Sequence, residues 1–219
     1  MIKSEKVDEA LKLLEKNKDE VLALGKSMMK AYGGALYPVD ILANGAIKRF
    51  LSTSSAFRLL VEAMNLVSSR ALLRIHLDTA MRFHAVWLVE DPHKFAGNVL
   101  SGKQINRMKD RNGKKLTDSY LASKLSTEYP WVKTVYENLC GYVHFSSQHL
   151  FAPIKNVNEK ERSVLWEISE KDTNYPEFSW VEIADCFNET SSIFLKYLYG
   201  WIYTKANPEK VEELKQKNS

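Results

Sequence analysis

The span 56–90 contains neither Gly nor Pro, and its apolar residues are spread around the whole helical circumference: Leu59, Leu60, Leu72, Leu73, Ile75, Leu77, Met81, Phe83, Val86, Trp87 and Leu88. A helix that is apolar all round is stable only when other helices cover it. The spacing therefore predicts one long central helix of an all-α bundle, ended by Asp91 and Pro92. Only 9 Gly and 6 Pro punctuate the chain, which disfavours many-turned β architectures. Its 45% hydrophobic residues, with 5 Trp, 10 Tyr and 9 Phe, suffice for a sizeable core and exclude disorder of the whole chain.

Other helices follow from similar patterns. Val7, Ala10, Leu11, Leu14 and Val21 mark an amphipathic helix stopped by Gly33 and Gly34, and Asp40 caps a short one over 41–51. The hydroxyls of 52–55 are expected to form a turn. Helices are expected at about 117–125, from Pro130 to Val143 and over 178–205, with Pro208 opening a polar last one. A short strand is expected within 163–168. The reading is a single domain over 1–219 with about six or seven helices. N-terminal helices occupy 1–54, a core 55–150, and a small irregular or β insertion with C-terminal helices 151–219.

With 31 Lys plus Arg against 27 Asp plus Glu, the net charge of +4 is well below that of a dedicated nucleic-acid binder. Cys140 and Cys186 are unpaired in sequence, pointing to reduced thiols and a cytoplasmic setting. The Lys- and Glu-rich N-terminus lacks the apolar core of a signal peptide, and the apolar stretch 192–203 is interrupted by Lys196, so no membrane association is expected. No nucleophile elbow, phosphate-binding Gly-rich loop, dinucleotide fingerprint or metalloprotease motif is present, so no cofactor and no metal are implied.

Candidate functional residues are polar groups in apolar surroundings. Arg70, Arg74, Asp78 and Arg82 recur every fourth residue and form one stripe along the central helix. Buried charges need partners. Two readings stay open: Asp78 and an acid from another helix neutralise the arginines, or the guanidinium forks hold a phosphate. His76 and His84, on roughly the opposite face and two turns apart, read as ordinary packed or surface histidines and not as a metal pair. His144 ends a helix that carries Tyr136 and Tyr142 and precedes Ser146; a histidine there serves as a C-terminal cap, an acid or an anion ligand. The aromatic helix around 187–203 offers apolar surface for self-association into a homo-oligomer.

The segment Ser68-Ser69-Arg70-Ala71-Leu72-Leu73-Arg74, followed by Tyr136-x-x-Leu139-x-x-x-Val143-His144, resembles a family of uncharacterised bacterial helical proteins similar to the HEPN bundles. The resemblance covers about 56–149. It implies a dimeric effector of a bacterial defence or toxin-type system, acting as a metal-independent ribonuclease or as a binder of RNA or nucleotide phosphate. His144, Arg70 and Arg74 would be its catalytic residues, with Arg82, Asp78, Tyr136, Tyr142 and Ser146 as binding residues. Where the signature Arg of those bundles would stand ahead of His144, this chain has Glu137, Asn138 and Leu139. The alternative is a non-catalytic module that binds a partner protein through a helical surface and keeps a structural Arg-His network.

Overall fold

A computed structural model describes residues 4–210. Eight α-helices and one two-stranded sheet account for most of them: α1 (Glu5–Lys30), α2 (Pro38–Glu62), α3 (Leu66–His84), α4 (Pro92–Leu100), α5 (Asp118–Leu125), α6 (Trp131–Val143), α7 (Ser147–Phe151), β1 (Ile154–Asn158), β2 (Ser163–Trp166) and α8 (Glu177–Ala206). The expected all-α character with a small β insertion is present; most of the last polar helix lies outside the described residues.

The uninterrupted helix expected over 56–90 is two helices, and the correction has a local cause. Met64 takes a left-handed backbone, with φ 60. Asn65 then caps α3, its side-chain oxygen accepting from the Ser68 amide at 3.0 Å, and Asp172 accepts from the Val67 amide at 3.0 Å. An Asn in an apolar run is thus a helix start, because its short side chain satisfies an amide that the first turn leaves open. At the other end α3 gives way to a 3₁₀ turn, Ala85–Trp87.

The turn expected at 52–55 is absent, and α2 runs straight through it. Ser52, Thr53 and Ser54 donate their hydroxyls to the carbonyls of Lys48, Arg49 and Phe50 one turn back, so the polar groups are satisfied inside the helix.

α3 lies at the centre, packed against α2, α5, α6 and α8, while α1 packs chiefly on α8. It serves two apolar clusters at once. Leu77, Met81 and Phe83 join Phe50, Phe194 and Leu198; Leu66 and Leu73 join Leu14, Phe57, Trp180 and Phe187. The aromatic helix α8 is consequently core: Phe187, Phe194, Leu198 and Trp201 are buried. This helix, expected to offer apolar surface for self-association, spends these residues on the core and keeps Tyr199 and Tyr203 exposed.

The sheet is a lone antiparallel hairpin, pairing Val157 with Val164 and Asn158 with Ser163. Its second strand is exposed throughout, and Val164, Leu165, Trp166 and Ile168 on and just after it, like Phe145, Leu150 and Phe151 ahead of the hairpin, are exposed apolar side chains. No helix among the described residues is long and apolar enough to cross a membrane.

Candidate functional site

The Arg stripe of α3 divides into two environments. Toward its C-terminal half, Asp78 sits between two arginines, accepting from Arg82 Nε at 2.6 Å and from Arg49 of α2 at 2.9 Å. Asp118, the first residue of α5, accepts from Arg82 at 2.5 Å and from Arg74 at 3.4 Å. The Arg74 guanidinium is buried, 3.9 Å from Asp78 and over the Tyr136 ring at 4.4 Å. Burial lowers its pKa, but Cys140, Asp78 and Tyr136 outweigh that and hold it above the ordinary arginine value. Burial, reinforced by Cys140, raises the Tyr136 phenol against the opposing pull of Arg74.

Two carboxylates therefore answer three guanidinium groups, and Arg74, Asp78 and Arg82 are tied into one network across α2, α3 and α5. Arg49 and Asp118 were not singled out by the sequence. Asp118 carried a usable signal, because an acid just after the cap residue Thr117 is favoured at a helix N-terminus. Nothing in the local pattern of α2 marked Arg49.

Arg70, one turn earlier, has different company. It donates to the Tyr142 hydroxyl at 2.5 Å, with its guanidinium carbon 5.0 Å from the Tyr142 ring and 5.1 Å from the Tyr175 ring. It makes no ion pair among the described residues. Tyr142 in turn donates to Gln148 at 3.2 Å. Arg70, Tyr142 and Gln148 line a cleft of about 320 Å³ between α3, α6 and α8, together with Asn138, Glu182 and Cys186. Burial and the nearby Glu182, Asp185 and Glu189 push the Cys186 thiol up to about 11, so at neutral pH it is not a thiolate nucleophile. Tyr175 is a further residue that the sequence did not single out; it lies in the irregular segment before α8, far along the chain from α3.

His144 is the C-cap of α6; its amide donates to the Cys140 carbonyl at 3.3 Å. Its ring is exposed and makes no hydrogen bond or ring contact among the described residues, Arg70 and Arg74 included. Tyr142, two residues back, is the member of α6 that meets Arg70. Ser146 serves structure: its hydroxyl donates to the Gly141 carbonyl at 2.7 Å and accepts from the Gln148 amide at 3.3 Å, capping α7. That seat depends on Gly141, where a Cβ would fall 2.9 Å from Gln148 and 3.1 Å from the Ser146 hydroxyl.

The two helix histidines are packed within the fold. His76 is bound on both nitrogens, by Thr53 at 2.8 Å and Ser191 at 3.0 Å, and stacks on Phe187 at 3.9 Å. Burial, with Arg49 adding to it, lowers its pKa to about 3. His84 packs against Tyr197 with ring centroids 4.6 Å apart and planes tilted by 36°, its Nδ1 is buried without a hydrogen-bond partner among the described residues, and burial lowers its pKa to about 4. Among the described residues no group of three or more His, Cys, Asp or Glu is placed to hold a metal ion. Compared with known proteins, the chain matches no family model, no curated protein and no solved structure.

Proposed function

We propose that the Arg70–Tyr142 face binds the phosphate of RNA or of a nucleotide, as expected of a HEPN-like effector of a bacterial defence or toxin-type system. The observation that carries this reading is the lack of a carboxylate on Arg70, whereas Arg74 and Arg82 both have one. A guanidinium held between two tyrosines keeps free N–H donors in a fixed plane, a geometry suited to phosphate oxygens. The phenol of Tyr142 and the amide of Gln148 supply neutral polar groups beside it, while Glu182 lines the same cleft without pairing with Arg70.

In the enzymatic form of this reading the chain is a metal-independent endoribonuclease, with Arg70 on the phosphate and the exposed His144 as general acid or base. The alternative is a non-catalytic interaction module. It is favoured by the Arg49–Asp78–Arg82–Asp118–Arg74 network, whose charges are largely satisfied within the chain. A homo-oligomer or a partner protein would then use the apolar residues around the hairpin, where Phe145 is 83% and Ile168 90% exposed.

The test is labelled RNA incubated with wild type, Arg70→Gln and His144→Ala, without added metal, with binding and cleavage both followed. Phosphate recognition requires Arg70→Gln to weaken binding and to flatten its salt dependence by about one counterion. Cleavage by the wild type that His144→Ala abolishes establishes the ribonuclease. Binding that Arg70→Gln leaves untouched sinks the phosphate site and leaves the interaction module.

A further inference from the structure

At the end of the bundle formed by the N-termini of α2 and α4 and the C-terminal turns of α8, a cleft of about 800 Å³ is walled by aromatic rings. Tyr37 lies 5.2 Å from His93 and 6.5 Å from Trp201, and His93 is 5.6 Å from Trp201. Trp201 stands at 86° to Tyr37 and at 75° to His93, so the three rings make a corner instead of a stack. Trp87 adds a further wall; it packs on Tyr197 at 5.1 Å and within 3.4 Å of where a Gly200 Cβ would stand.

The corner is held from beneath by a buried ion pair. Asp40 accepts from Trp201 Nε1 at 2.8 Å, from the Tyr37 amide at 2.8 Å and from Lys205 at 2.9 Å, and Lys205 also donates to the Met28 carbonyl. Both charged side chains are fully inaccessible. Burying such a pair is costly, and here it fixes two of the rings that line the cleft.

The charges facing the cleft are unequal. Lys205 is neutralised by Asp40, and its ammonium already lies 5.8 Å from the Tyr37 ring. Arg111 is engaged by the carbonyls that end the turn after α3, donating to Trp87, Leu88 and Val89. Glu90 makes no ion pair among the described residues. Asp91 has one oxygen on the amides of His93 and Lys94 and the other unbonded. Against Arg111, whose charge the carbonyls do not cancel, two carboxylates remain at the aromatic corner and leave it net negative, so a cation gains from ring faces and from charge while an anion is disfavoured.

We propose that this cleft binds an organic cation, specifically a quaternary ammonium head carried on a larger molecule. The ring corner takes the head, Glu90 and Asp91 balance its charge, and Val89, Pro92 and Pro208 offer apolar surface to the remainder. The site is separate from the Arg70 face and stands whether or not that face binds phosphate.

The probes are choline, its uncharged carbon isostere 3,3-dimethylbutan-1-ol and adenosine monophosphate, titrated into ¹⁵N-labelled full-length protein while the tryptophan indole signals are followed. Saturable shifts are expected for Trp87 and Trp201 with choline, and none for Trp166 on the distant hairpin. The neutral isostere should bind about tenfold more weakly, as should choline to Glu90→Gln and to His93→Ala, both exposed positions where the fold tolerates change. Equal binding of choline and its isostere, tighter binding of the nucleotide, or no saturable shift with choline would each overturn the proposal.

Discussion

The most consequential single residues of this chain are two histidines that burial holds neutral well below the pH at which an exposed imidazole takes up its proton. His76 and His84 are depressed from an ordinary value of 6.5 to about 3 and about 4 by burial. Above the ordinary value both are neutral in either state, and neither affects stability. As pH falls below it the unfolded chain takes up protons that the folded chain refuses, so stability drops, by about 1.4 kcal/mol per pH unit for each proton difference. Urea denaturation at about pH 7.5 and about pH 5 should therefore show a lower midpoint at the acid end. Converting His76 to Phe, which removes its hydrogen bonds to Thr53 and Ser191 while each hydroxyl keeps a carbonyl of its own helix, should lower stability modestly at neutral pH while flattening that acid dependence. A midpoint that does not move with pH in the wild type would contradict the assignment. The helical spacing of His76 left a packed and a surface histidine both open; its two hydroxyl partners come from α2 and α8 and could not be read from its own segment.

At the scale of elements, the informative place is the joint between α2 and α3. Two side chains close the first turn of α3: Asn65 from the joint itself and Asp172 from the segment ahead of α8, whose amide also donates to the Met64 carbonyl at 2.8 Å. Asn65→Ala and Asp172→Ala should each destabilise the domain by about 1 kcal/mol, the usual value of an N-terminal cap. Because both serve the same turn, the double variant should depart from the sum of the two. Thermal melts of the four proteins check this, and strict additivity would mean that the two caps act independently. An apolar run without Gly or Pro reads as continuous helix because propensity is summed residue by residue. The joint escapes that sum, since it rests on one left-handed residue and one cap.

Over the whole molecule, the Asp40–Lys205 pair links α2 to the last turns of α8 and, through the Met28 carbonyl, to the end of α1. Removing only the cation should be severe: Lys205→Met leaves Asp40 charged in a site with no access to water, at a cost of about 3–5 kcal/mol. The double variant Lys205→Met with Asp40→Asn should recover much of that loss, because no unpaired charge remains. Denaturant melts of both variants decide it, and a double variant no better than the single would show that packing, and not charge, holds this end together. The same comparison bears on the neighbouring cleft, whose Trp201 is anchored on Asp40.

Helical class, a strand within 163–168, the proline-marked beginning of α6 and the burial of the middle of the 56–90 span follow from periodicity, caps and proline positions. These are properties of neighbours along the chain, and a side chain's hydrogen bond to an amide three residues on is decided locally. The sequence also determined that Arg70, Arg74, Asp78 and Arg82 share one helix face. Which of them is neutralised was decided only by tertiary structure, through Arg49 from α2, Asp118 from α5 and Tyr175 from the approach to α8. The same holds for the aromatic corner, whose rings come from residues 37, 93 and 201. Coulomb energy and ring contact depend on distance in space, and no pattern within a single helix encodes the approach of another.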